Sequence, residues 1–141
     1  MRKIKYIMLH CTGSHLDSNH LSIIEWFIDR HNFKYPRPPY HIMISQSGVI
    51  HRPHPIEDIS YGCRGCNSNS IHVATIGGLV YDDRTHLQKE AMYRVVKELV
   101  DKFPDAVVIG HRDRPNVRRL CPRYDAAEWW ANQELLNNAL K

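Results

Sequence analysis

The sequence predicts an α/β fold, in which one domain spanning residues 1–141 has a mixed central β-sheet of about five strands flanked by helices. Three observations support this prediction. The chain has 141 residues and is 43% hydrophobic, enough for one core but too short for two comfortable domains. Short apolar runs typical of buried strands are interspersed with longer segments of helical periodicity. The predicted element order, β-α-β-β-β-α-β-α, is typical of a sheet covered by helices.

The first strand is predicted over residues 4–10, IKYIMLH, which are rich in β-branched and aromatic residues. Alternation places the even-numbered side chains from Ile4 to His10 on one face and the odd-numbered ones on the other. The first helix is predicted over residues 21–33, where apolar residues recur at helical spacing. Asn32 tolerates the left-handed conformation that ends many helices.

The middle of the chain predicts a hairpin followed by a central strand. Three prolines in KYPRPPY exclude a helix, so Tyr40 enters the next strand from a stiff loop. Residues 41–45 and 49–52, HIMIS and VIHR, read as two strands with Gly48 at the turn between them. A loop rich in turn-forming residues then leads to an apolar run at 71–80, IHVATIGGLV, which predicts a central strand that ends at the glycine pair.

The C-terminal half contains the strongest helical pattern. THLQ at 85–88 is a capping box, and an apolar stripe continues from it to Phe103. AVVIG at 106–110 predicts a short buried strand. DAAE at 125–128 is a second capping box that predicts the start of a C-terminal helix.

Composition and charge restrict the classes of partner that the protein is expected to bind. A net charge of +4 and a pI near 8.9 favour anionic partners such as nucleic acid, cell-wall polymer or a membrane surface. No apolar stretch has transmembrane length, and the N-terminal apolar run is too short for a signal peptide. We therefore expect no membrane insertion and a cytoplasmic location as synthesised. The four cysteines permit disulfides, but free thiols or metal ligands are equally compatible with the sequence.

Three residues are candidates for a zinc cleft at the strand ends. His10 follows the first strand, His111 follows the last, and Cys121 lies in the next loop. Zinc binds nitrogen and sulfur tetrahedrally, and catalytic sites use three protein ligands. In the alternative interpretation, both histidines make local hydrogen bonds and Cys121 is a small buried hydrophobe. A second alternative makes Cys63 and Cys66 half of a structural zinc site with Cys121 and His111, or a redox pair.

Five arginines lie within and just after this region, and most of them are interpreted as a solvated face with one or two directed toward the cleft. They can bind phosphates, but the sequence has no recognisable nucleic-acid module, so no nucleic-acid partner is expected. The five are Arg112, Arg114, Arg118, Arg119 and Arg123.

Six motifs together resemble the type-2 N-acetylmuramoyl-L-alanine amidases, a family that includes phage amidase lysozymes and peptidoglycan recognition proteins. They occur in the family's order from about residue 4 to about residue 130, and the combination is far more specific than any one motif. The motifs are MLHCTGS at 8–14, EWFIDRHNF at 25–33, PYHIMISQSGVIHR at 39–52, NSNSIHVATIGG at 67–78, GHRD at 110–113 and CPRYDAAEWW at 121–130.

The resemblance implies a site and a reaction. His10, His111 and Cys121 match the family's zinc ligands, and Tyr40 matches the tyrosine that faces the reacting water or the substrate carbonyl. The implied reaction is zinc-dependent hydrolysis of the amide between N-acetylmuramic acid and L-alanine in peptidoglycan or muropeptides. Arg119 can supply positive charge for the oxyanion that develops. The alternative is a module that binds muropeptides without cleaving them.

The sequence departs from the family at three positions near this site. Arg119 stands where many members have lysine, and arginine keeps the charge but does not lose its proton. Cys63 stands where a histidine is frequent, and His72 stands where a glycine is usual. Cys63, Asn69 and His41 are the expected substrate contacts. We further expect a monomer of bacterial or phage origin that acts on the cell wall once released, or on recycled muropeptides in the cytoplasm.

Overall fold

A computed structural model describes residues 2–32, 34, 37–115 and 117–140. The predicted end of the first helix at Phe33, and Tyr35 and Pro36 of the proline-rich segment, lie outside the described residues. The strands are β1 (Tyr6–Cys11), β2 (Ile42–Ile44), β3 (Ile50–His51), β4 (Ser70–Thr75) and β5 (Val107–Gly110). The helices are α1 (His20–Arg30), α2 (His86–Lys102) and α3 (Ala126–Ala139).

The five strands form one mixed sheet in the order β3-β2-β4-β1-β5. Strand β1 pairs in parallel with β4 on one side and with β5 on the other, and β2 pairs in parallel with β4. Strands β2 and β3 form the predicted antiparallel hairpin. The predicted fold class, number of strands and element order are therefore confirmed, and the carboxyl ends of β1 and β5 lie side by side.

The two faces of strand β1 have different roles, as alternation predicts. Ile7 and Leu9 belong to the main core, which includes five buried residues of α2 and two of α3. Met8 faces the other way and packs against Cys63 and Cys66. The assignment of Ile4 to the Met8 face was wrong, because Ile4 precedes the strand and packs into the main core.

Side-chain caps define where the helices begin. Thr85 and Gln88 form the predicted capping box of α2, with side-chain to backbone hydrogen bonds in both directions. At the start of α3, the Asp125 side chain accepts the Glu128 backbone N–H. Asn32 has a φ of 50°, the left-handed conformation expected after α1. No helix in the described part of the chain is long and apolar enough to cross a membrane.

Candidate metal centre and cleft

Three predicted metal ligands meet at the carboxyl ends of β1 and β5. The candidate ligand atoms of His10, His111 and Cys121 all lie within 4.8 Å of one another. His10 Nδ1 is 3.8 Å from Cys121 Sγ. Among the residues that the structure describes, this is the one such group of three or more His, Cys, Asp or Glu side chains. Two imidazoles and one thiol are a donor set that fits zinc with a coordination position left open.

Strand register and one close backbone approach bring these residues together. Leu9 of β1 is paired with Gly110 of β5, so the residues that follow each, His10 and His111, are neighbours. The Arg112 backbone N–H donates to the Cys121 carbonyl at 2.6 Å, which returns the later loop to the strand ends. A Cβ at Gly110 would lie 2.8 Å from Pro122 Cδ, so this approach requires glycine.

Both histidines of the group are held in the neutral form that binds metals. Burial lowers the pKa of His10 well below its usual value, and the nearby His72 and His111 rings lower it further. Burial also lowers the pKa of His111, and the positive charge of Arg119 contributes. At neutral pH, each imidazole therefore has one ring nitrogen without a proton, as metal binding requires.

A second thiol lies beside the group. A hydrogen bond between Cys11 and Cys121 lowers the pKa of Cys11 to about 7 and raises the pKa of Cys121. A cation at the two histidines favours the thiolate of Cys121, because the Cys121 sulfur is the one that belongs to the three-residue group.

Tyr40 and Arg119, the two predicted catalytic residues, lie at the same cleft. The Tyr40 ring is half-buried, with its centroid 5.1 Å from that of His10. Burial raises the pKa of Tyr40, and the thiols of Cys121 and Cys11 raise it further, so the phenol remains a hydrogen-bond donor. Arg119 is exposed on the cleft wall, where its charge acts on His111 and on Tyr40.

The cleft has a volume of about 510 Å³, and helix α1 forms one of its walls. Trp26, Phe27 and Arg30 face it from α1, and none of the eleven described residues of α1 is fully buried. The described residues that line the cleft include three arginines and no carboxylate. The cleft therefore favours an anionic ligand and offers an aromatic surface, because Trp26 is 60% exposed.

The three expected substrate contacts lie outside this lining. His41 is fully buried; its Nε2 donates to the Asp58 carbonyl at 2.7 Å, and its Nδ1 accepts the His72 backbone N–H at 3.0 Å. Asn69 is half-buried in a short turn, where its carbonyl accepts the Lys5 N–H at 2.8 Å.

Cys63 is buried and forms a disulfide with Cys66. In this pairing, neither sulfur is the free thiolate that a metal ligand requires, so the alternative zinc site with Cys121 and His111 does not form.

Some residues at the site were not among the predicted functional residues. The Cys11 thiol is one of them, and the aromatic wall of α1 is another. His72, which the sequence marked only as a departure from a family pattern, contacts His10 directly at 2.9 Å. Asn67, its next hydrogen-bond partner, lies in a turn-rich segment where sequence alone offers no means of recognising it.

Comparison with known families agrees with the resemblance found in the sequence. A family model described as N-acetylmuramoyl-L-alanine amidase matches residues 1–124. The endolysin of Klebsiella phage KP32 is 24% identical over 139 residues, covering 94% of this chain and 89% of the endolysin.

Solved structures show the same fold. The endolysin N-acetylmuramoyl-L-alanine amidase LysCS from Clostridium intestinale has a TM-score of 0.81 at 20% identity, over 94% of this chain and 85% of that one. The human PGRP-IBETAC in complex with glycosamyl muramyl pentapeptide has a TM-score of 0.74 at 17% identity, over 91% of this chain and 82% of that one.

Proposed function

The chain belongs to the N-acetylmuramoyl-L-alanine amidase family, and on that premise we propose that it is a zinc-dependent amidase of peptidoglycan or muropeptides. The bond cleaved is the amide between the lactyl group of N-acetylmuramic acid and L-alanine. Water supplies the atoms, so the products are a muramic acid carboxylate and a peptide with a free N-terminal amine. The observation that carries this proposal is the group of His10, His111 and Cys121 at the cleft.

His10, His111 and Cys121 would hold the metal. When bound, zinc supplies a Lewis acid that activates water and polarises a carbonyl. The protein residues contribute a fixed geometry, because His10 is buried within β1 and His111 directly follows β5 of the same sheet. The neutral imidazoles and the cleft's lack of carboxylates among its described residues favour a thiolate and two nitrogens as the donor set.

Tyr40 and Arg119 stabilise the negative charge that develops on the oxygen of the reacting carbonyl. The phenol of Tyr40 stays protonated, so it can donate a hydrogen bond to the oxygen that becomes negative. Arg119 keeps its proton, so its role is electrostatic stabilisation rather than proton transfer. Both residues line the cleft that His10 also lines.

The substrate proposal rests on the charge and shape of the cleft. Its arginines favour the carboxylates of a stem peptide, and Trp26 offers a surface against which a sugar or peptide can pack. The endolysin relative supports a cell-wall substrate. The PGRP complex with a muramyl pentapeptide supports a second candidate function, recognition of muropeptides without cleavage. Cys121 favours catalysis, because it completes the donor set.

The decisive experiment combines metal content with product release. The purified protein is loaded with zinc, incubated with a defined muramoyl-peptide and assayed by mass spectrometry for free stem peptide, beside a His111→Ala variant. We expect one zinc per chain and peptide release that His111→Ala abolishes. Zinc binding with no release would favour the recognition module. A protein that binds no zinc would contradict the metal site.

A further inference from the structure

His10 uses both of its ring nitrogens in the structure. Nδ1 faces the Cys121 sulfur at 3.8 Å, and Nε2 lies 2.9 Å from His72 Nδ1. Both rings are almost completely enclosed, with His10 1% exposed and His72 0% exposed. Water therefore cannot take the place of His72 as the partner of His10 Nε2, and His72 decides what that nitrogen can do.

Only one arrangement of protons leaves His10 Nδ1 free to bind a metal. In that arrangement the His10 proton is on Nε2 and is donated to His72 Nδ1. His72 then carries its own proton on Nε2, which donates to Asn67 Oδ1 at 2.9 Å. Asn67 Oδ1 is a pure acceptor, so it suits this direction and opposes the reverse one. These two hydrogen bonds form a chain from His10 through His72 to Asn67, which we call the relay.

The far end of the relay is also fixed. Asn67 Oδ1 accepts a second hydrogen bond, from the Cys63 backbone N–H at 2.8 Å. The Cys63–Cys66 disulfide closes the loop that presents this N–H, and both cysteines are buried against Met8. The amide oxygen of Asn67 is therefore oriented toward His72 by a closed segment of backbone.

The ring of His72 fits because the neighbouring residue has no side chain. A Cβ at Gly62 would lie 2.6 Å from His72 Cγ and 2.7 Å from His72 Nδ1. The backbone of His72 is held as well, since it exchanges hydrogen bonds of 3.0 Å with the backbone and ring of His41. The position of His72 Nδ1 opposite His10 is therefore defined from two sides.

We propose that His72 and Asn67 are positioning residues that hold His10 in the tautomer whose Nδ1 can bind the metal. This inference rests on the proposed zinc site. Partners of this kind fix the ring orientation of metal-binding histidines, and their loss weakens metal affinity by about 10- to 100-fold.

Paired substitutions at position 72 and position 67 test this role. His72→Phe removes the acceptor for His10 Nε2–H but keeps a ring, whereas His72→Gln retains an acceptor. Asn67→Leu removes the oxygen that ends the relay, whereas Asn67→Asp retains it. Ser68→Ala, at an exposed neighbouring residue in the same turn, is the matched control. The Kd for zinc is measured by competition with a chromophoric chelator.

We expect His72→Phe to weaken zinc binding by about 10- to 100-fold and Asn67→Leu by about 10-fold, with His72→Gln, Asn67→Asp and Ser68→Ala near the parent protein. Nitrogen-15 NMR of the histidine rings gives a second readout in the metal-free protein. His10 should be the Nε2–H tautomer in the parent and a mixture in His72→Phe. If His72→Phe does not fold, the Asn67 pair decides, because Asn67 is only half-buried.

An unchanged zinc Kd in both disruptive variants, or an unchanged His10 tautomer in His72→Phe, would overturn the positioning role. This failure is distinct from failure of the proposed function. In the first case the parent protein binds zinc and the variants bind it equally well, whereas in the second the parent protein itself binds no zinc.

Discussion

His10 Nδ1 and Cys121 Sγ lie 3.8 Å apart although 111 positions separate them in the sequence. His10 lies near the end of strand β1, between β4 and β5 in the sheet, and Cys121 lies in the loop before α3. A metal ion shared by these atoms would join two parts of the chain that are otherwise connected by the β1–β5 pairing and by a few loop hydrogen bonds. The proposed centre is therefore expected to affect stability as well as activity.

The first prediction distinguishes the roles of the Cys121 and Cys11 thiols in zinc binding. Cys121→Ser should lose most bound zinc and nearly all amidase activity, because the thiolate belongs to the three-residue group. Cys11→Ser is the matched control, since Cys11 is the adjacent thiol but lies outside that group. Metal analysis and peptide release report the outcome. Zinc retained by Cys121→Ser and lost by Cys11→Ser would assign the ligand to the other sulfur.

The second prediction concerns zinc removal. Because the ion binds only the folded chain, saturation at a hundred times its Kd should add about 2.7 kcal/mol to the free energy of unfolding. A chelator should therefore lower the Tm of the parent protein, and added zinc should restore it. In Cys121→Ser the Tm should respond weakly to either treatment. Equal responses in the two proteins would place the stabilising ion elsewhere.

The third prediction tests charge on the cleft wall. Arg119→Ala should lower kcat by about 10-fold or more, equivalent to about 1.4 kcal/mol of lost transition-state stabilisation. Arg119→Lys should retain substantial turnover, because the charge is kept. Arg118→Ala controls for the loss of one exposed arginine that does not line the cleft. Equal rates for Arg119→Lys and Arg119→Ala would make Arg119 a surface residue without a catalytic role.

The fourth prediction is a pH dependence of stability that arises from His41. Burial lowers the pKa of His41 from 6.5 to about 4, so below pH 6.5 the unfolded chain binds a proton that the folded chain does not. Stability should therefore fall as pH falls from 6.5 toward 4, by up to about 1.4 kcal/mol per pH unit from this residue.

Urea unfolding of chelator-treated protein between pH 7 and pH 4 checks the fourth prediction. His41→Asn should remove only the contribution of His41 and so make the slope shallower, since asparagine does not titrate there, whereas His10 and His111 keep their own contributions. His86→Gln should leave it unchanged, because His86 has a side chain that is 83% exposed. A slope in His41→Asn as steep as that of the parent protein would contradict a contribution from His41.

The fifth prediction concerns Gln88, a fully buried polar residue of α2. Its amide nitrogen donates to the carbonyls of Ile76 at 2.9 Å and Ile44 at 3.2 Å, and its oxygen accepts the Thr85 N–H. Gln88→Leu should cost about 2 kcal/mol of unfolding free energy, because the Ile76 carbonyl is left buried without this donor. Lys89→Leu, at an exposed position of the same helix, should change stability by less than about 0.5 kcal/mol.

Elements defined by local pattern could be predicted from sequence. The capping box at Thr85, the apolar stripe that follows it and the alternation of strand β1 depend on neighbours within a few residues. The sheet order and the contact between His10 and His72 depend on parallel register across 62 positions, which periodicity does not encode. Family resemblance supplied the proposed zinc ligands, because spacing alone left the interpretation of His111 and Cys121 open.

Two other features, the Cys63–Cys66 disulfide and the burial of His41, could not be predicted from the sequence, for different reasons. The sequence left the state of Cys63 and Cys66 open, because a CxxC segment is equally compatible with free thiols, a metal site or a redox pair, and the structure shows a disulfide. The burial of His41 was also not anticipated, since a histidine in a motif resembles a ligand contact until its hydrogen bonds are known. The disulfide and the burial of His41 both depend on side-chain environments rather than on secondary structure.

The opposite faces of β1 allow two properties to be engineered separately. Substitutions at Ile7 or Leu9 act on the helix-covered core, whereas a substitution at His10, on the opposite face, acts on the proposed metal site. A protein engineer can thus search for thermostable variants by repacking Ile7 and Leu9 while leaving the cleft untouched. Altered substrate preference would instead be sought at cleft residues outside β1, such as the exposed Trp26 of α1.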